Sequence, residues 1–503
     1  MSLKRNFLVG LFGSVWSALL SLAVVPLYLK YLGTEAFGLI GFFVTTQALL
    51  QLLDLGLSPT INREVARGHA TGEMRDASNL LHTLSVVYWF MAAVIAVIVL
   101  TLSPVIAGSW LQTRQLTQET VTHAVMLIGL VVACRWPVGL YMGAMMGMQK
   151  VALASALNTA MSTLSSLGAV VVLVYVSPTI EAFFIWQACV GLAYAAFMHW
   201  KAWSLMPHTG EPTRFQTVDL QRIWRFSAGM SALTITGIVL VQSDKVLLSR
   251  LLSLEDFGRY TLAAMLANSL YILLTPLFNA IYPRMTALVA AGETEKLADL
   301  YNTGTRVFLS LLFPLAITGA LYSEDLLYLW TRDQTLAATT SMLATYLLLG
   351  TMLNGVMHFP YALQLAYGST SVPLIITTSL IIAYVPLVII LTTLYGKTGG
   401  ASAWLVLNTA YLIFGTWVTH RHFLKGKGMG WLLGNVGIPF AVTLVIVMVG
   451  KELTHEDGHM YKALVWGTVF FLTAVGANLL LLPGSTLAKL KQWRTLRPAV
   501  VQV

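Results

Sequence analysis

The sequence predicts an all-α polytopic membrane protein. It should have about fourteen transmembrane helices, in two parallel six-helix lobes around a central cavity plus a C-terminal helix pair. Three observations lead there. Of 503 residues, 57% are hydrophobic and 10% charged, with a mean hydropathy of +0.75, whereas a soluble domain carries roughly 25% charge. Apolar runs of bilayer length recur from end to end. The chain also repeats itself at an offset of 220 residues. Spread this evenly, the apolar surplus excludes a water-soluble enzyme, a disordered chain, and a soluble domain hung on one or two anchors.

Each element is an apolar run bounded by charge, Pro or Gly. The first, 7–29, follows Lys4 and Arg5. It is too long for a signal peptide and lacks a small-residue cleavage site, so it is read as a retained helix. The next five cover 37–61, 81–106, 121–147, 151–176 and 182–203. A second set covers 225–250, 257–281, 305–322, 341–363, 372–394 and 399–420, and a final pair 430–450 and 461–482. With both termini inside, 20 of the 30 Lys and Arg fall in inner loops and 8 in outer ones, leaving Arg135 and Lys245 within spans. That is the positive-inside distribution. The net charge of +9 therefore reflects orientation rather than nucleic-acid binding. The basic tail with Lys489, Lys491, Arg494 and Arg497 reads as an anchor on anionic lipid. Cys134 and Cys189 lie in apolar runs and form no disulfide or metal pattern.

The repeat pairs Lys30 with Arg250, Leu32 with Leu252, Glu35 with Glu255, Phe37 with Phe257 and Gly38 with Gly258. A second block pairs Gly72 with Gly292 and Glu73 with Glu293. The offset spans six helices, an even number, so both copies share one topology about an axis along the membrane normal. The N-lobe is then 1–205, a cytoplasmic linker 206–224, the C-lobe 225–423, and 424–503 the extra helix pair with its tail.

Charges within spans are costly and usually face a partner or a cavity. Arg135 sits mid-span, and two readings stand: helix glue satisfied by a carboxylate and carbonyls, or a cation facing an anionic substrate. Asp54 lies at a comparable depth and could pair with it. Gly56 and Pro59 should break the helix just beyond Asp54. Asp244 and Lys245 are sequence neighbours, which do not face each other on a helix. Lys245 is expected to snorkel outward and Asp244 to stand as a candidate proton or cation site. Arg63 and Arg284 close the second and eighth helices, as inner anchors or as a rim that collects phosphate. Asn354 and His358 share a helix face, as polar core or proton relay. Asn268, Ser269 and Asn279 suit either sugar hydroxyls or helix contacts. No phosphate-cradling loop, zinc spacing or GxSxG occurs, so ATP is not the expected driver.

The order of Tyr31-Leu32-Gly33, Glu35-Ala36-Phe37-Gly38-Leu39, Leu53-Asp54-Leu55-Gly56-Leu57, Arg63-Glu64, Gln242-Ser243-Asp244-Lys245 and Phe257-Gly258-Arg259-Tyr260 resembles one family. It is the polysaccharide transporters of the multidrug/oligosaccharidyl-lipid/polysaccharide exporter superfamily, and within them the bacterial oligosaccharide flippases of the O-antigen type. The resemblance covers roughly 3–430. It implies a polyprenyl-diphosphate-linked glycan as substrate, moved by alternating access from the inner to the outer leaflet of the bacterial cytoplasmic membrane. It also implies a cationic cavity and puts Asp54, Arg63, Arg135, Asp244, Lys245 and Arg284 on the candidate list. Taken with the residues' own chemistry, Arg135, Arg63, Arg284 and Lys245 are expected at the substrate and Asp54, Asp244 and His358 in coupling or gating. Asn268, Asn279 and Asn354 would line the cavity. No cofactor is expected beyond an H+ or Na+ coupling ion, whose identity no motif here fixes. Expected partners are membrane lipids and the polysaccharide polymerase and chain-length machinery, around a monomer. The extra helix pair departs from twelve-span members and is shared with lipid II flippases.

Competing readings are a lipid II flippase and a multidrug antiporter, which prefers an acidic cavity. A membrane glycosyltransferase or ligase would need a larger outer loop than 451–460.

Overall fold

The computed structural model describes residues 3–207, 212–453 and 460–482. The side chains of 3–8, 11, 217–232 and 460–464 fall outside that description, as do the basic tail and part of the linker. Among the described residues the secondary structure is helical. Two compact units divide it: Met1–Leu262 with Thr377–Gly400, and Ala263–Ile376 with Ala401–Val503.

In the first unit, α1 (Leu3–Leu50) runs through a 3-10 turn (Gln51–Asp54) to α2 (Leu57–Thr71) and α3 (Met74–Val105). After a π-helical turn (Ile106–Trp110) come α4 (Gln118–Arg135), α5 (Val138–Gly147), α6 (Val151–Tyr175), α7 (Ile180–Leu205) and α8 (Thr217–Leu251). Helix α1 packs on α6, α4 on α7, and α2 on α5. Helix α9 (Leu254–Asn268) leads to the second unit. There lie α10 (Tyr271–Ala290), α11 (Thr294–Leu321), α12 (Ser323–Thr331), α13 (Gln334–Val356) and α14 (His358–Ala366). Helix α15 (Ser371–His422) is followed by a short turn α16 (Gly428–Gly430), a π-helical stretch (Trp431–Gly437), α17 (Ile438–Leu453) and α18 (Met460–Leu480).

Ten helices among the described residues are long and apolar enough to cross a membrane. Two of these stretches, of 43 and 52 residues, are each long enough for two crossings, since about 20 residues span a bilayer. Each is broken by one glycine: Gly33 (φ 80°, ψ 170°) in α1 and Gly396 (φ 60°, ψ −141°) in α15. Left-handed φ is open to glycine at no steric cost. Both breaks fall between expected spans.

Other expected spans are interrupted. The second ends early at the 3-10 turn, where Leu55 (φ 46°) and Gly56 (φ 77°) are left-handed, as the Gly56–Pro59 signal foretold. The fourth breaks after Trp136, where Pro137 lacks the N–H to continue the ladder. The tenth breaks at Met357, three residues before Pro360. The ninth begins earlier than expected, at Thr294, behind the left-handed Gly292.

The repeat register has a physical counterpart. A Cβ on Gly38 would lie 2.2 Å from the Leu254 carbonyl oxygen, and one on Gly258 would lie 2.2 Å from the Thr34 carbonyl oxygen. Thr34 and Leu254 are themselves 220 residues apart. The two copies of the motif therefore touch backbone to backbone in a reciprocal contact, like an isologous interface. Only glycine permits that approach.

Candidate functional site

Arg135 ends α4 at the Pro137 break, near the middle of the 30-residue span Gln118–Gly147. Its Nη2 donates to Ser165 Oγ at 3.0 Å on α6 and to Gln187 Oε1 on α7. The guanidinium carbon lies 5.6 Å from the Phe43 ring centroid, a cation–π distance. Gly191 makes room for it, since a Cβ there would be 3.2 Å from Arg135 Cγ. These partners are a hydroxyl, an amide and a ring. Among the described residues no carboxylate pairs with Arg135.

The Asp54–Arg135 pair that their similar depth allowed is not formed. Asp54 Oδ1 instead accepts from Ser58 Oγ at 2.7 Å and from the Tyr88 hydroxyl, and Oδ2 accepts the Ser58 backbone N–H at 3.3 Å. The broken helix turns the carboxylate back onto its own next turn. Tyr88, the partner of Asp54, lies 6.1 Å from Trp136, the sequence neighbour of Arg135.

Asp244 is 3% exposed and accepts from the Tyr260 hydroxyl. Its neighbour corrects the sequence reading. Lys245 does not diverge from Asp244 but pairs with it at 3.2 Å, its Nζ also donating to Val241 O at 2.8 Å. A four-carbon stem reaches back over the preceding turn, and an apolar setting rewards that pairing.

The remaining candidates lie apart from these. Arg63 is exposed and bonded to Glu64 at 2.6 Å, and Arg284 is exposed on α10. Asn268 and Asn279 are exposed. Asn354 accepts from Tyr271 at 2.9 Å and donates to Asn408 at 2.9 Å, so it sits inside a polar network. His358 contacts the Asn354 carbonyl at 3.2 Å and lies beside Phe278.

One cluster escaped the sequence reading. Glu35 is 4% exposed and accepts three backbone N–H groups, from Arg114 (2.6 Å), Gln115 (2.8 Å) and Leu116 (3.2 Å). That strap is stitched to the second repeat. Leu254 N donates to Gln112 O at 2.8 Å, Gln112 to Arg250 O at 3.0 Å, and Trp110 to Ser249 at 3.0 Å. Asp256 binds Lys397 at 2.8 Å and Arg259 at 2.9 Å, with Arg114 3.8 Å from both Glu255 and Asp256. Burial alone would raise the Asp256 carboxyl, but the hydrogen bonds and charges of Lys397 and Arg259 outweigh it and hold it below its ordinary range. Glu35 and Glu255 are repeat mates, and that was the available signal. Gln187 and Tyr88 had none, and Tyr260 was visible only as the last residue of the Phe257–Tyr260 motif.

Helical spans, a two-copy repeat and buried in-span charges define a membrane transporter. Comparison narrows the class. The profile of the polysaccharide biosynthesis protein family matches residues 3–289, and a MatE profile matches residues 230–391. The chain belongs to the polysaccharide biosynthesis protein family, within the multidrug/oligosaccharidyl-lipid/polysaccharide exporter superfamily. A Shigella flexneri protein, provisionally described as an O-antigen transporter, is 20% identical over 407 residues, covering 80% of this chain and 94% of that one. Among solved structures, the lipid II flippase MurJ in an inward closed conformation shares the fold with a TM-score of 0.68 at 11% identity, over 93% of this chain and 98% of that one. An inward-facing multidrug-resistance MATE transporter matches with a TM-score of 0.65 at 13% identity, over 80% and 95%.

Proposed function

We propose that the protein is a flippase for a polyprenyl-diphosphate-linked oligosaccharide. It carries the headgroup from the cytoplasmic to the outer leaflet of the bacterial cytoplasmic membrane by alternating access, in the synthesis of a surface polysaccharide. One observation carries the reading: Arg135, a mid-span cation held by Ser165, Gln187 and Phe43 with no carboxylate partner among the described residues. Such a charge suits a diphosphate, to which a guanidinium binds as a fork. Unaided passage is prohibitive, because each unpaired polar group costs several kcal/mol in hydrocarbon. The family membership and the O-antigen transporter relative support the same substrate class.

Coupling is assigned to Asp54 rather than Asp244. Asp244 has a cation of its own in Lys245, whereas the hydrogen-bond partners of Asp54 are hydroxyls and one backbone N–H. A proton or Na+ there replaces no existing ion pair.

The test is deletion of the gene and analysis of each leaflet. Lipid-linked glycan should accumulate on the inner leaflet, with rescue by wild type and not by Arg135→Ala. The headgroup of the stranded lipid separates this substrate from lipid II. Normal surface polysaccharide after deletion refutes the proposal.

A further inference from the structure

The exposed face of α10 departs from the rest of this apolar chain. Among the described side chains no large hydrophobic residue is exposed between Val241 and Leu311, whereas α15 exposes Ile375, Ile382, Ile390 and Leu394. What α10 exposes instead is polar or small: Thr275, Asn279, Arg284 and Thr286, with alanines and Pro283 between them. A face turned to acyl chains is apolar, because unsatisfied polar groups are costly in hydrocarbon. This face, uncovered by protein yet lacking apolar bulk, is built for water.

An aromatic stack stands beside it. The Phe278 ring lies 5.7 Å from Tyr282 at an interplanar angle of 11° and 6.0 Å from Tyr361 of α14 at 25°. All three are only part-buried, so core packing does not fully account for them. Asn279, exposed next to Phe278, adds an amide with both donor and acceptor capacity. The C–H groups on one face of a pyranose ring carry partial positive charge and are attracted to the negative face of an aromatic ring. Its hydroxyls need donors and acceptors at the rim. Part-exposed rings with an adjacent amide supply both.

We propose that this part of α10, centred on Phe278, Tyr282, Tyr361 and Asn279, is a sugar-ring subsite that recognises the glycan of the transported lipid. The inference rests on the flippase reading and adds to it the part of the substrate on which selectivity is exerted.

The experiment uses the full-length protein in nanodiscs and two probes: undecaprenyl diphosphate without sugar, and the undecaprenyl-diphosphate-linked glycan extracted from the deletion strain. Wild type should bind the glycan-bearing lipid more tightly. Phe278→Leu should erase that preference, a change of about tenfold from the ~1.4 kcal/mol of a stacked ring, while binding of the sugar-free lipid is kept. Phe278→Trp should retain it. Asn279→Leu, on an exposed position, gives a second readout should Phe278→Leu fail to fold, and should also lower the preference. Equal loss for both probes, or an unchanged preference in Phe278→Leu and Asn279→Leu, overturns the subsite. Wild type that binds the two probes equally overturns the subsite and leaves the flippase reading standing. Wild type that binds neither overturns both.

Discussion

Gly38→Ala should pry apart the two repeat-related turns. The added methyl would sit 2.2 Å from the Leu254 carbonyl oxygen and 3.1 Å from its carbon. Ordinary contact begins near 3.4 Å, so one backbone must retreat by about 1 Å. Neither atom is the tip of a flexible side chain, so the strain falls on the paired helices. Overpacking of this kind costs about 1–3 kcal/mol. If the turns relieve it by separating, the closed-to-open ratio falls about 5- to 150-fold. The strap contact Leu254 N to Gln112 O, 2.8 Å away across the same junction, should weaken with it. The assay installs Ser253→Cys, a position 8% exposed, in a Cys189→Ala background. Labelling by a membrane-impermeant maleimide is then followed in intact spheroplasts. Gly38→Ala and its mate Gly258→Ala should each raise the labelling rate at least ~5-fold, the lower bound of that same range. Gly476→Ala, where a Cβ meets nothing within 4 Å, should not. A folded Gly38→Ala protein that labels at the wild-type rate would refute the idea that this glycine contact holds the turns together.

Other outcomes follow from the same geometry. Glu35→Gln leaves three strap N–H groups with a weaker acceptor, and charge-assisted bonds of this type are worth ~1.5–3 kcal/mol, so Ser253→Cys labelling should rise as well. The Asp256 carboxyl is held low in the folded state, so its ion pairs contribute fully above the ordinary carboxylate range and lose that contribution as pH falls through the lowered value. Acid should therefore speed labelling in wild type but less so in Lys397→Met, once each rate is divided by that of an exposed reference cysteine at the same pH to remove the loss of thiolate, which a pH series on both would read. Gly191→Val crowds Arg135 Cγ, already 3.2 Å from a Cβ at that site; transport should fall with that cation displaced, and unimpaired flipping in a leaflet assay would count against Arg135. Asp54→Asn should abolish dependence of transport on an imposed proton or Na+ gradient, whereas a retained dependence moves coupling elsewhere.

Charge patterning and hydropathy made the membrane architecture legible without coordinates, because hydrocarbon tolerates only long apolar segments with internally bonded backbones. The 220-residue echo was legible too, and it located the glycines at which the two copies touch. Breaks at Asp54–Gly56 were readable from Gly56 and Pro59. Partner choice was not. Depth along a span suggested an Asp54–Arg135 pair, but the two side chains turn to Tyr88 and Gln187, which lie 34 and 52 residues away in sequence.

Sequence by itself therefore determined what each segment dissolves in, since solvation is a property of composition summed along a helix. The tertiary structure alone decided which buried charges are quenched and which are left open. Lys245 neutralises Asp244, Glu35 holds a strap, and Arg135 bonds neutral groups among the described residues. That outcome depends on side-chain reach and helix rotation over a few ångströms, and linear spacing does not encode it.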